Sequence, residues 1–287
     1  MRNKINIISK YIISLISILV FIYLISQNLL EFKKLEINFN YFILFLLAYV
    51  IRHLLITYVE WKMVINLNNK VRFNEYFIEN NLANLINLTS PLKIGAGKKL
   101  LFLKNKFDIK IQEYFRIFTT LNIHLAIIYF SFFFIGLIFI DLLSFQYFFV
   151  YVFLLLLIMY FLKTLKNIKF VKIIIIEDYF SKAKKNFFWL NTTLIFITVF
   201  VGILQTYFLI LSLFQFENLI GSLFMNSAAF FANIVQLSPG NLGFLELVFL
   251  SLNEIISLNS SQIIIYSTFN RISSIFIHLV LNIKNYK

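Results

Sequence analysis

The sequence predicts an all-α polytopic membrane protein of about 6–8 transmembrane helices, and three observations carry that prediction. Sixty per cent of its 287 residues are hydrophobic and only 14% are charged, where a soluble domain carries about 25% charge. Apolar runs that approach or exceed the roughly 20 residues needed to cross a bilayer recur from end to end, so no soluble domain is left over. The net charge of +13 is the third observation, because its distribution follows the membrane.

The first run, "YIISLISILVFIYLI" from Tyr11, follows Arg2, Lys4 and Lys10. It has no small-residue cleavage site and leads into "SQNLLEFKK", so it reads as a retained first helix rather than a signal peptide. Further strong spans are expected near 41–59, 117–140, 146–162, 188–214, 218–236 and 262–282, with a shorter segment at 244–256. With the amino terminus in the cytoplasm, only Lys33 and Lys34 of the 26 Lys and Arg fall outside, and only Arg52 and Arg271 lie within spans. That bias is the positive-inside pattern, and it puts both termini in the cytoplasm of a plasma (inner) membrane protein. The same pattern accounts for "KKLLFLKNK" and "KTLKNIKFVK", which can also attract anionic lipid headgroups. Nucleic acid is excluded as a partner, since no basic soluble face exists to dock it. The segment "KIIIIEDYFSKAKKNFF" has the charge pattern of an interfacial helix. Cysteine is absent, which excludes thiolate chemistry and disulfides.

Both prolines of the chain occupy one short motif used twice: Ser90-Pro91-Leu92-Lys93-Ile94-Gly95 and Ser238-Pro239-Gly240-Asn241-Leu242-Gly243. Each breaks an apolar helical pattern, and the segments before them, 76–92 and "LIGSLFMNSAAFFANIVQL", read as re-entrant or half-spanning elements. Proline removes a backbone donor and glycine permits turns, so each break frees backbone groups that lipid cannot satisfy. Such breaks in corresponding positions of two halves, here 1–145 and 146–287, point to a binding site at a repeat interface; simple kinks are the plainer alternative. Asn81, Asn84 and Asn87 share one face of the helix entering Pro91 and either line a polar path or bond between helices.

The tract from "YVIRHLLITYVEWKMVINL" through "NLTSPLKIGAGKKLLFLK" to "DIKIQEYFRIF", with "VQLSPGNLGFLELVFLSL" and "STFNRISSIFIHLV", resembles the membrane domain of the lysylphosphatidylglycerol synthase/flippase proteins and their stand-alone flippase-like relatives. The resemblance covers nearly the whole chain. In that family a proline-glycine element is followed by an acid and a base; Pro91, Gly95 and Lys99 match, while Ala96 stands in the place of the acid. A later element from proline to glutamate, before a helix with an arginine, is matched by Pro239, Gly240, Gly243, Glu246 and Arg271. The aminoacyl-transferase activity of bifunctional relatives belongs to a separate soluble domain, and only "NIKNYK" follows the last helix here. The resemblance implies a domain that moves, or holds for a partner, a lipid with a polar head.

The candidate binding residues are therefore Asn84, Asn87, Pro91, Gly95, Lys99, Pro239, Gly240, Gly243, Glu246 and Arg271. A charge at bilayer depth costs at least about 2.5–3.5 kcal/mol on insertion scales, so Glu246 and Arg271 are expected to pair. The pair either fixes two helices, or leaves Arg271 to grip a lipid phosphate while Glu246 orients it. Arg52 either serves likewise or snorkels to the inner interface. His53, His124 and His278 lack acidic residues at metal spacing and read as satisfied polar residues, so no metal and no cofactor are expected. The leading expectation is a flippase-like lipid transporter for an anionic phospholipid or a polyprenyl-phosphate-linked sugar. The alternatives are an integral membrane glycosyltransferase or a non-transporting scaffold of envelope biosynthesis. Transport ranks first because the chain has no D-x-D or E-x-D pattern of the kind that handles a metal or a phosphate donor.

Overall fold

Lipid offers backbone N–H and C=O groups no partners, so a spanning segment must satisfy them within itself, as a helix does. The computed structural model describes Leu19 and residues 22–90, 93–140, 185–235 and 241–283, and among them the ordered elements are helices. They are α1 (Leu29–Lys33), α2 (Phe39–Ile65), α3 (Phe73–Thr89), α4 (Ile94–Phe107), α5 (Ile111–Phe139), α6 (Lys185–Phe214), α7 (Leu219–Val235), α8 (Phe244–Ser251), α9 (Asn253–Ile256) and α10 (Ser260–Ile283).

Asparagines start several of them, because the short amide accepts from orphan N–H groups of the first turn. Asn38 accepts from Asn40 N–H at 3.2 Å before α2, and Asn218 accepts from Gly221 N–H at 2.8 Å before α7. Ahead of α10, Asn259 and Gln262 each take the other's backbone N–H, at 2.9 and 3.0 Å, a reciprocal capping box. α4 ends at Asp108 in the left-handed region, φ 53°, which turns the chain into α5.

Among the described residues, four helices are long and apolar enough to cross a membrane: Phe39–Ile65, Ile111–Phe139, Leu190–Phe214 and Ser260–Asn282. The protein is a multi-pass membrane protein. The expected span at 218–236 coincides with the 17-residue α7, whose described part is about 25 Å long against a hydrocarbon core of roughly 30 Å. The expected segment 244–256 is divided at Leu252 into α8 and α9, the second ending at Ser257 with φ 56°. The expected span 146–162 and half of the first run, 11–30, lie outside the described residues, as do the basic stretch 163–172 and all but the end of the expected interfacial helix 172–188.

The order of lengths recurs. A long helix, a 17-residue helix, a shorter helix after the proline motif and a second long helix form α2–α5, and α6, α7, α8 and α10 follow with the same pattern. The packing is reciprocal as well: α2 lies along α6, α3 packs on α10 and α7 packs on α5.

Two apolar cores result. One gathers Val59, Met63, Tyr76, Leu103, Ile117, Leu121, Ile195 and Val199; the other gathers Phe45, Leu209, Phe224, Met225, Leu245, Phe249, Ile263 and Tyr266. Along α2 the second core ends near Phe45 and the first begins near Val59. Arg52 falls between them, and Gln205 occupies the matching gap on α6 between Ile203 and Leu209.

Candidate functional site

In that gap a cavity of about 390 Å³ opens. Its charged wall is Arg52, Lys93 and Arg271, and its amides come from Asn84, Asn87, Gln205, Asn233 and Asn270. Tyr49, Tyr129, His53, His278, Thr198 and Ser274 add further polar groups, with Ile56, Leu88, Leu125, Phe230 and Leu245 as the apolar part. No Asp or Glu is among these described lining residues.

Arg52 sits at the midpoint of α2, Phe39–Ile65. Its Nη1 donates to Gln205 Oε1 at 3.1 Å and its Nη2 to the Tyr129 hydroxyl at 2.8 Å. Both acceptors are neutral, so they hold the guanidinium in place without cancelling its charge. Gln205 in turn reaches Asn270 Oδ1 at 3.5 Å. Gly202 clears the space: a Cβ there would lie 3.0 Å from both Cζ and Nε of Arg52 and 2.9 Å from Asn226 Nδ2.

Arg271 is treated differently by its surroundings. Nη1 meets Glu246 Oε1 at 2.5 Å, and Nη2 donates to Glu246 Oε2 at 3.2 Å and to the Asn241 carbonyl at 3.0 Å. Glu246 is fully buried and also accepts the Gly243 N–H at 2.8 Å. The pair expected from the sequence therefore forms, and it does more than balance charge. It satisfies two backbone groups of the second broken motif, where Asn241 (φ 56°) and Gly243 (φ 79°) hold left-handed conformations. Each group left unmade there would cost several kcal/mol.

The first motif is built from close approach. Lys93 turns the chain with φ 54°, and α4 then runs back so near α3 that a Cβ on Gly95 would meet the Ala83 carbonyl and, at 2.8 Å, Asn87 Oδ1. Lys93 is partly buried, which pushes its pKa below the ordinary lysine value. Lys99 does not reach the cavity wall. Its Nζ is buried on Glu60 Oε2 at 2.9 Å and Asn80 Oδ1 at 2.6 Å, over the Tyr76 and Tyr114 rings. Burial disfavours its charge, but Glu60 outweighs burial and holds the Lys99 pKa above the usual range.

Of the candidates, Asn84, Asn87 and Arg271 line the cavity. Gly95, Gly243 and Glu246 support it from behind, and Pro91, Pro239 and Gly240 lie outside the described residues. Asn81 takes the other role open to it, donating to the His278 carbonyl at 3.2 Å and accepting at His278 Nδ1. His53 and His278, 225 positions apart in sequence, bring their rings to 4.7 Å. Of the three histidines expected to be satisfied, His278 pairs with Asn81 and His124 Nδ1 with the Thr120 carbonyl oxygen, while the Nε2 of His53 is buried without a hydrogen-bond partner among the described residues.

The family model described as the lysylphosphatidylglycerol synthase TM region matches residues 7–281. The chain belongs to this family. Neither a curated protein nor a solved structure matches it. As a member of the lysylphosphatidylglycerol synthase TM-region family it is a membrane protein related to lipid synthases and flippases. The described parts of its two proline-glycine elements are the turns that flank the cavity. The candidate residues do not include Gln205, Tyr129 or Lys93, and the sequence leaves Arg52 only as an alternative between gripping a phosphate and snorkelling. For Arg52 the signal was present, since an arginine at the centre of an otherwise apolar run marks a functional site by default.

Proposed function

We propose that this chain is a flippase-like domain of the plasma (inner) membrane that admits the polar head of a lipid into a site between its two halves, 1–145 and 146–287. In this reading the segments around Pro91 and Pro239 are re-entrant, the halves form an inverted pseudo-repeat, and both termini are cytoplasmic. One observation supports it above the others: arginines at the midpoints of two spans, Arg52 and Arg271, face one polar cavity of about 390 Å³. A cavity of that size suits a headgroup and excludes two acyl chains, so the tails stay in the bilayer. An anionic phospholipid or a polyprenyl-phosphate-linked sugar fits such a wall. A metal-dependent glycosyl transfer would need carboxylates that the described lining residues do not supply.

The test is reconstitution. Purified protein in liposomes carrying a trace of headgroup-labelled phosphatidylglycerol is exposed to a membrane-impermeant reductant. Acceleration of the second, inner-leaflet phase of quenching over protein-free liposomes is expected. Equal rates, together with no lipid retained beyond the detergent annulus by mass spectrometry, would remove the lipid reading.

A further inference from the structure

The chemistry of the cavity wall narrows the headgroup, given the lipid reading above. We infer that the site takes a headgroup presenting a phosphate and no ammonium group, with Arg52 as the phosphate ligand.

Arg271 and Arg52 are both at mid-span, but only one retains its charge for a ligand. The two terminal nitrogens of Arg271 are engaged by Glu246 and Asn241, whereas no carboxylate pairs with Arg52 among the described residues. Its acceptors, Gln205 and Tyr129, are neutral. An uncompensated guanidinium at this depth is costly, and an anion that matches its planar fork offsets the cost. Gly202 leaves the room that keeps the fork in place. Lys93, on the turn of the first proline motif, adds a second cation to the wall, and no acidic partner accompanies it among the described residues.

An ammonium group would meet the opposite conditions. No carboxylate stands on the described wall; Glu246 is fully buried and spent on Arg271 and Gly243. The aromatic pair on the wall, Tyr129 and Phe230, stacks face to face with centroids 4.4 Å apart, so each ring covers the other's inner face. In low dielectric, two cations repel a third strongly.

The test measures affinity of the detergent-purified full chain for four probes: dioctanoyl phosphatidylglycerol, dioctanoyl phosphatidylethanolamine, dioctanoylglycerol and glycerol 3-phosphate. Phosphatidylglycerol should bind at least about tenfold more tightly than phosphatidylethanolamine or dioctanoylglycerol, the scale of one charge-assisted hydrogen bond. Arg52→Gln should lose that margin and Arg52→Lys should restore only part of it. Gly202→Ala keeps every charge yet displaces the guanidinium, so it should weaken the same probe and serves if Arg52→Gln does not fold. Unfolding midpoints on the same preparations separate binding from folding. Phosphatidylethanolamine binding as tightly as phosphatidylglycerol, or undiminished phosphatidylglycerol affinity in folded Arg52→Gln, overturns the inference. Glycerol 3-phosphate binding as tightly as phosphatidylglycerol, and depending on Arg52, would uphold the anion site while removing the lipid reading.

Discussion

Arg271 and Glu246 meet through two oxygen–nitrogen contacts, 2.5 and 3.2 Å, with the carboxylate fully buried. Removing one partner leaves the other charge uncompensated, which typically costs about 3–5 kcal/mol. Arg271→Gln and Glu246→Gln should therefore each lower the unfolding midpoint sharply. The double variant should be milder than the sum of the two, although it still loses the partners of Asn241 and Gly243. Strict additivity in a double-mutant cycle would show that the two charges do not communicate.

A comparison of two neighbouring glycines isolates the close packing of the first motif. At Gly95 a Cβ would lie 2.7 Å from the Ala83 carbonyl carbon, which is backbone and cannot step aside, while at Gly97 nothing lies within 4 Å. Gly95→Ala should destabilise by about 1–3 kcal/mol, the usual range for overpacking. Gly97→Ala should be neutral or stabilising by up to about 1 kcal/mol, because alanine favours the helix. Equal effects at the two sites, read from thermal unfolding in detergent, would contradict the α3–α4 approach.

Gly243 combines a positive φ of 79° with an N–H held by Glu246. Gly243→Val should abolish folding or function, since a β-branched side chain is a genuine outlier there and strained backbone costs about 1–3 kcal/mol even for tolerant residues. Gly243→Asn, which tolerates the left-handed region better, should retain more expression than valine. Wild-type behaviour of the valine variant would mean the break is an exposed loop.

Much of this was legible in the sequence because it depends on local or compositional signals. The apolar runs gave the class, and the motif from Pro239 to Glu246 with Arg271 pointed to the ion pair that forms. The apolar run at 218–236 was legible too, and it coincides with the helix Leu219–Val235. The cavity itself was not legible. Arg52 draws its partners from positions 77 and 153 residues away, and the residue that makes room for it, Gly202, looks like any glycine in an apolar helix. Lys99 has a motif position but spends its charge on Glu60, a partner on another helix that spacing alone does not reveal.

Orientation can be tested directly because the chain contains no cysteine, so a single introduced thiol gives an unambiguous label. Lys34, with its side chain 73% exposed, precedes α2, and Lys104 is exposed on α4, which lies beyond the other end of that span. The two must face opposite sides if α2 crosses the membrane. Placing the α4 lysines outside would export most of the basic residues and invert the positive-inside bias, so Lys104 is expected on the cytoplasmic side. In intact cells an impermeant maleimide should modify Lys34→Cys and spare Lys104→Cys, and permeabilisation should expose the second. Neither substitution breaks a strong contact, since the Lys34–Glu31 pair at 3.7 Å is exposed and such pairs contribute little. The reverse labelling pattern would place the termini outside, and labelling of both thiols in intact cells would mean that α2 does not separate the two compartments.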